Sequence, residues 1–544
     1  MLLGIGLLGS VVLILRLTRD FTFLQDTWDF LMNRRAPTTD ALFTPHNEHI
    51  VVIPVAIEEL LLRLFGMGDA TPEYVVQALF LAAAAALLFV YVRRRVGDWP
   101  ALFAALLVLF LGPAWEVLLW PFEISFSGSV LFGLAMLLAL DREDRSGDVA
   151  ACASLLLCFG FSSLGIAFAA GAAVDVFVKR RSRGLGRAYL FALPLLLYAA
   201  WYLGWGHEAE THLALRNLMT SPRFVADSLA VAVASLFGLA ESPLAGPIEP
   251  SWGRPLLIAL VAALVYRLWR RRGVFSPAFW TVATVAATNW FLTAFNATAG
   301  RAPVSSRYQY MGAVMILLLL ANLLQGERFG RRALAVAGVA TAMVLSVNLI
   351  YLKDGRDTLM VQSVYTRSDL GAIEISKRTI DPGFWLNSVV AGTPTLVNVE
   401  AGKYVEAVDE YGSPAYDPTE LAAAPGYARK QADIILGQAL PLSTLTHLGG
   451  FEAGPAEASC AVLPAGSSTP TSELQVPPGL TRIELAPGPH ADFSLRRFAT
   501  GKYPVVTEGA PGNSVTDLRV PSDRAPRQPW YLHVDASQEA RVCR

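Results

Sequence analysis

The sequence predicts a mainly α protein: a polytopic transmembrane helical bundle of about eleven spans, followed by a C-terminal extracytoplasmic α+β domain. Three observations carry that expectation. The 544-residue chain is 53% hydrophobic and only 16% charged, with a mean hydropathy of +0.43, which is too apolar for an ordinary soluble protein. Apolar runs of the length needed to cross about 30 Å of hydrocarbon recur through the first two thirds of the chain. After Tyr351-Leu-Lys-Asp354 the composition changes abruptly to Pro, Gly, Ser, Thr and charge, and no later run is long enough to span. The chain therefore divides into a membrane domain over 1–352, with an extracytoplasmic loop over 20–73, and an outward soluble domain over 353–544.

The runs lie near residues 2–18, 75–92, 100–118, 125–140, 149–162, 164–178, 188–205, 255–269, 277–295, 309–325 and 333–352. The first lacks a basic n-region and is followed by Arg16, Arg19 and Asp20 with no small-residue cleavage site, so it is expected to be a retained anchor rather than a signal peptide. Arg93, Arg94 and Arg95, the cluster from Lys179 to Arg187, Arg267 with Arg270, Arg271 and Arg272, and Arg328 with Arg331 and Arg332 all fall in one set of short connections. The opposite connections are longer and hold fewer basic residues. The positive-inside rule then puts the arginine-rich set in the cytoplasm and the loop after the first run outside. Keeping the Lys179 cluster inside requires the run 149–178 to turn back on itself at Phe161-Ser162-Ser163. For the same reason 227–240 is read as a re-entrant or interfacial helix, because a full crossing there would invert everything downstream.

In the outward domain, 363–380 and 419–439 carry helical patterns. Short alternating runs follow at Glu473-Leu-Gln-Val, Thr481-Arg-Ile-Glu-Leu and Tyr531-Leu-His-Val, punctuated by Pro and Gly as in a small sandwich. Of the four cysteines, Cys152 and Cys158 sit in an apolar hairpin and read as small core residues. Cys460 and Cys543 bracket the strand-rich region of a domain facing an oxidising compartment, so a disulfide between them is expected. Lys plus Arg (44) nearly balance Asp plus Glu (45) for a net charge of −1, which offers nothing to nucleic acid.

Chemistry-bearing residues gather in the first outward loop, in Phe23-Leu-Gln-Asp26-Thr-Trp-Asp29-Phe30 and Pro45-His46-Asn47-Glu48-His49. Ionisable groups at one membrane-adjacent loop of an otherwise apolar region point to a site. If the first helix continues through Trp28, Asp26 and Asp29 share one face; one can act as general base towards a hydroxyl while the other orients it or helps to hold a divalent cation. The plain alternative is a pair of solvated acids ending a helix. His46 and His49, three apart beside Glu48, could form a hydrogen-bonding or metal-binding face, but His-x-x-His is not a zinc signature, and a substrate-orienting role for Glu48 or His49 fits better. A second cluster, Gly300-Arg301-Ala-Pro303-Val-Ser305-Ser306-Arg307-Tyr308-Gln309-Tyr310, places guanidinium groups at the mouth of a late run, where they can clamp a phosphate or simply anchor a helix at headgroup depth.

In this layout the chain resembles the GT-C superfamily of membrane glycosyltransferases, which use polyprenyl-phosphate sugars. The shared features are an acidic motif just after span one, about eleven spans, an Arg-Tyr pair entering a late span and a terminal outward domain. The resemblance implies Asp26 or Asp29 as general base and Arg307 beside Tyr308, with Arg301 in reserve, on the lipid phosphate. Here two residues separate the acids, where the superfamily's are often adjacent or one apart, and the His46–His49 element is not a general feature of it. The implied activity is transfer of a hexosyl or pentosyl group to a cell-envelope glycan, lipid or protein acceptor on the outer face of the cell membrane, with a divalent cation as a candidate cofactor. Ala-, Gly-, Arg- and Pro-rich usage suits a GC-rich bacterial source such as an actinobacterium. The rival readings are a transporter or flippase of a lipid-linked precursor, against which no inverted repeat is visible, and a noncatalytic envelope-assembly protein.

Overall fold

The structure, a computed structural model, describes residues 1–36, 38–212, 214–240, 250–271, 275–298, 300–386, 388–390, 392–451, 459–465, 473–501, 503–523, 525 and 527–544. Arg272 lies outside the described residues, as do the side chains of Arg180, Arg181, Arg270 and Arg271. The chain forms two compact units: Met1–Phe21, Asn33–Leu64 and Ala70–Met360 make the first, and Thr22–Met32, Phe65–Asp69 and Val361–Arg544 make the second. The composition change after Asp354 falls inside one continuous helix, Arg331–Ser376, because a change of solvent does not by itself break a backbone hydrogen-bond ladder.

The first unit is helical throughout. Every apolar run becomes a helix, but many are short: Leu2–Thr18 has 17 residues, Gly165–Val178 has 14 and Tyr189–Gly204 has 16. Among the described residues three helices, Thr71–Val96, Pro121–Leu140 and Arg331–Ser376, are long and apolar enough to cross a membrane, and up to four spans result if the bent pair Asp98–Leu109 and Gly112–Leu119 counts as one. That is fewer than the expected eleven: Leu2–Thr18 and Gly165–Val178 are apolar but short, a helix of 14 to 17 residues rising only about 21 to 26 Å, whereas Gly253–Arg271, Pro277–Phe295 and Ser306–Leu323 have 18 or 19 residues and are not among the helices both long and apolar enough. The break expected at Phe161-Ser162-Ser163 is present: Arg145–Phe161 ends there and Ser162 is fully extended before the next helix. Of the segment 227–240, residues 227–236 are the C-terminal part of a longer helix, Leu215–Leu236, and 237–240 follow its end.

Small residues let these helices approach closely. A Cβ at Gly133 would lie 2.2 Å from the Phe168 ring, and one at Gly171 would lie 2.4 Å from Val285. Gly165–Val178 is therefore packed backbone against side chain with Ile124–Leu140 and with Pro277–Phe295, where the absence of a Cβ is a geometric requirement. At the bent pair the chain turns by 46°, because Pro113 follows Phe110-Leu111 and cannot extend the first ladder. This turn brings Trp115 and Glu116 into a separate short helix, from which Glu116 reaches the start of the Ser306–Leu323 helix.

Among the described residues the second unit combines helices with a two-stranded antiparallel sheet, Val389–Val390 with Thr393–Pro394, and two larger antiparallel sheets. One runs Glu473–Val476, Trp530–Asp535, Ala491–Arg496, Val505–Ala510 and the other Ser443–Leu448, Ser514–Val520, Gly479–Leu485, Ala540–Cys543, Cys460–Leu463. The expected helix over 419–439 is two helices, Pro418–Ala423 and Gly426–Ala439. Pro425 separates them, as its ring excludes the α conformation of Ala424. Gly426–Ala439 is tied to the sheets by Asp433, whose carboxylate accepts the backbone N–H groups of Arg497, Phe498 and Ala499, each at 2.9 Å. Cys460 and Cys543 form a disulfide between adjacent strands at one edge of the five-stranded sheet. Cys152 and Cys158 are free and buried.

Candidate functional site

The site in the first unit starts from a turn. His46-Asn47-Glu48-His49 is not helical: His46 N–H donates to His49 O and His49 N–H to His46 O, and Asn47 takes a left-handed φ of 50°, which asparagine tolerates better than most residues. The two imidazoles therefore stand at the ends of a tight turn rather than on a helix face. His46 meets the edge of Phe122 and His49 that of Phe126. Ser163, in the break of the hairpin, fixes the turn's exit: its Oγ donates to Glu48 O at 3.1 Å and accepts from Ile50 N–H at 3.3 Å and from the Tyr198 hydroxyl at 3.2 Å.

With its backbone held, Glu48 receives Arg301. Arg301 Nη1 donates to Glu48 Oε1 at 2.5 Å, and both side chains are mostly buried. Burial alone would raise the Glu48 carboxyl, but the charges of His49 and Arg301 and the Arg301 hydrogen bond outweigh it and hold Glu48 below the ordinary glutamate range. Burial keeps the His49 imidazole below the ordinary histidine range, the Glu48 carboxylate opposing it and Arg301 and His46 adding to it. His49 Nε2 stands 3.5 Å from Glu48 Oε1. The result is a carboxylate–guanidinium pair beside an imidazole whose burial and whose Glu48 neighbour act in opposite directions.

These residues open into a cavity of about 260 Å³, lined by apolar side chains and by neutral hydrogen-bonding groups that include Asn289, Asn296, Ser228 and Gln309, together with Tyr308 and Trp290. Neither His46 nor Arg307 is among the described residues that line it. Arg307 belongs to a different arrangement. The Ser306–Leu323 helix begins with its Arg307 N–H donating to Glu116 Oε2 at 2.9 Å, while Glu116 N–H donates to Ser306 Oγ at 3.1 Å. Glu116 thus caps this helix from another element, a favourable place for a carboxylate. The Arg307 guanidinium lies 3.5 Å from the same carboxylate and remains about a third exposed.

The acids of the first loop belong to the second unit. The expectation that they share a face of the first helix is corrected: that helix ends at Thr18, and a separate short helix, Thr27–Asn33, follows. Between them Gln25 has a φ of 48°. The segment is drawn away from helix geometry by partners in its own unit: Thr22 N–H donates to Ser363 Oγ, Gln25 N–H to Thr395 O and Gln25 Nε2 to Gln362 Oε1. Asp26 is half-buried just before the short helix. Asp29 is buried in its first turn and accepts Asn398 Nδ2 at 2.9 Å. Trp28 packs edge-on against Tyr404 and donates to Phe23 O.

The structure thus joins Glu48, His49, Arg301 and Tyr308, pairs Arg307 with Glu116, and sets Asp26 and Asp29 in separate surroundings. Three residues were not singled out from the sequence: Gln309, Glu116 and Glu123, the last buried just before the Ile124–Leu140 helix. Acids inside the apolar stretch 110–130 are the signal that could have flagged the two glutamates. Among the described residues, no three His, Cys, Asp or Glu side chains are grouped so as to hold a metal ion.

No family model matches the chain, and no curated protein matches it. Among solved structures, an archaeal oligosaccharyltransferase, AglB from Archaeoglobus fulgidus in complex with an inhibitory peptide and a dolichol-phosphate, matches with a TM-score of 0.41 and 12% identity, over 81% of this chain and 68% of that one. A likeness at that score assigns no role to any residue of this chain.

Proposed function

We propose that the protein is a membrane glycosyltransferase of GT-C type that moves a sugar from a polyprenyl-phosphate donor to a cell-envelope acceptor on the outer face of the cell membrane. The observation that carries the reading is the cavity at Glu48, His49 and Arg301, in a unit that holds Thr71–Val96 and Pro121–Leu140, both long and apolar enough to cross a membrane. Its lining mixes apolar surface with convergent polar groups, the pattern of a small-molecule site.

In this reading Asp26, with Asp29 second, takes the proton of the acceptor hydroxyl. The acceptor oxygen attacks the anomeric carbon, the carbon–oxygen bond to the lipid phosphate breaks with inversion, and the lipid phosphate departs with the bonding pair. Arg307 is assigned to the leaving phosphate, because its guanidinium, 3.5 Å from Glu116, is about a third exposed, whereas Arg301 is mostly buried in its hydrogen bond to Glu48. The aspartates and Arg307 take these roles by the resemblance in sequence layout. The 353–544 region is assigned to the extracytoplasmic side, where its disulfide is at home.

The test is transfer of radiolabelled sugar from a polyprenyl-phosphate donor to acceptors in a membrane extract, using the purified protein. Transfer that requires the protein and Asp26 supports the reading. Movement of intact lipid-linked donor across proteoliposomes without bond cleavage would replace it with the transporter reading.

A further inference from the structure

Gln309 is 1% exposed, and its amide cannot be turned round. Nε2 donates to Pro303 O at 3.0 Å and to Ser305 O at 3.1 Å; both partners are carbonyls, so the nitrogen must face them. Oε1 is left pointing elsewhere, buried and with no donor, in a residue that lines the cavity. Glu48 repeats the pattern. Its Oε1 is held by Arg301, while Oε2 is buried without a donor, and Glu48 also lines the cavity. Leaving buried acceptors unmade is costly, and two such acceptors in residues that line one small cavity mark a site that a ligand completes.

The sign of these orphans identifies the ligand. Both are acceptors, so the missing partner must bring hydrogen-bond donors, and an ionised phosphate oxygen brings none. Charge gives the same answer. Arg301 is the one Arg or Lys among the described lining residues, and Glu48 compensates it, so the cavity offers no surplus positive charge to a phosphate. Hydroxyl groups donate and accept at once, which suits Glu48 Oε2 and Gln309 Oε1 together with the buried His49 Nδ1, likewise without a partner. Trp290 on the wall supplies an apolar face for the C–H side of a ring. The volume of about 260 Å³ falls just under the roughly 300–1,000 Å³ of drug-sized pockets, which limits the guest to one ring.

We infer that this cavity is a monosaccharide subsite that reads sugar hydroxyls through Glu48 Oε2 and Gln309 Oε1, with Arg301 serving to orient Glu48 rather than to bind phosphate. The choice of a sugar over another polyol rests on the glycosyltransferase reading. The subsite places Gln309 among the specificity-determining residues, a role that its position in the sequence gives no reason to suspect.

The experiment uses the full-length protein in lipid nanodiscs and saturation-transfer NMR with free glucose, mannose, galactose, arabinose and ribose, and inorganic phosphate as the counter-probe. At least one sugar is expected to bind, to weaken about tenfold or more on Gln309→Leu, and to weaken similarly on Glu48→Gln, which turns an acceptor towards the cavity into a donor. The two variants lie on different elements, so the loss in both with unchanged size-exclusion profiles is not a folding defect. Binding of none of the sugars overturns the inference, as does phosphate binding that Arg301→Met abolishes and Gln309→Leu spares. Transfer activity with an unchanged KM in Gln309→Leu also overturns it while leaving the proposed function standing. Sugar binding with the expected variant effects but no transfer by the wild type supports the subsite and overturns the enzyme.

Discussion

Replacing both Cys460 and Cys543 by alanine removes the covalent tie between the C-terminal strand Ala540–Cys543 and the edge strand Cys460–Leu463, which pair over only four residues. The two cysteines are 83 residues apart, and the loop-entropy relation for a closure of that size gives about 4.5 kcal/mol, or on the order of 10³-fold in an opening equilibrium. The edge position makes the effect legible, since a strand with one neighbour has no second ladder to retain it. Native-state hydrogen exchange on the full-length protein reads it directly. The slowest amides of Gly479–Leu485 and Ala540–Cys543 should exchange on the order of 10³ faster in the variant, whereas amides of Thr71–Val96 in the first unit should be unchanged. Acceleration below about tenfold would mean less than roughly 1.4 kcal/mol and would refute the entropic account. Equal acceleration in the first unit would refute the assignment of the effect to the sandwich.

Asp26→Asn should reduce sugar transfer by about 10²–10⁴ while leaving donor binding intact, as loss of a general base commonly does; Asp29→Asn should be equal or milder, and wild-type turnover in both removes these acids from the mechanism. Arg307→Lys should weaken binding of a nonhydrolysable polyprenyl-phosphate sugar and Arg307→Ala should weaken it further, because lysine keeps the charge but loses the planar fork; unchanged affinity in both leaves Arg307 as an interfacial partner of Glu116. The depressed Glu48 pKa contributes stability that is present above the ordinary 4.5 and lost as the pH falls through the lower folded value. In Arg301→Met the opposing charge is gone and burial acts with less resistance, so the acid limb of sugar binding should move to higher pH, and an unmoved limb contradicts the pairing. For topology, an impermeant thiol reagent on intact cells should label single cysteines placed near Ala36 and Gly450 and spare those near Arg94 and Arg271; the reverse pattern inverts the orientation.

Hydropathy and punctuation are local properties, and the sequence by itself determined what they control: each apolar run is a helix, the hairpin breaks at Phe161-Ser162-Ser163, and Glu473, Thr481 and Tyr531 head or lie in strands of the C-terminal sheets. Its site residues were only partly legible. Glu48 and His49 stood out as ionisable groups in an apolar context, but whether His46 joined them depended on a backbone turn at Asn47 that residue type does not dictate. The 26–29 segment misled for a similar reason. Helical spacing puts Asp26 and Asp29 on one face, yet hydrogen bonds from the Thr22 and Gln25 N–H groups to Ser363 and Thr395, more than 330 residues away in the chain, hold the preceding backbone out of the helix. Gln309 shows the limit most clearly. In sequence it is one polar residue at the start of a helix, whereas in the fold two carbonyls occupy its amide nitrogen and leave its oxygen buried without a donor in a residue that lines the cavity. Hydrogen-bond satisfaction is a property of all the neighbours at once, so only the tertiary structure could decide which polar atoms were left for a ligand.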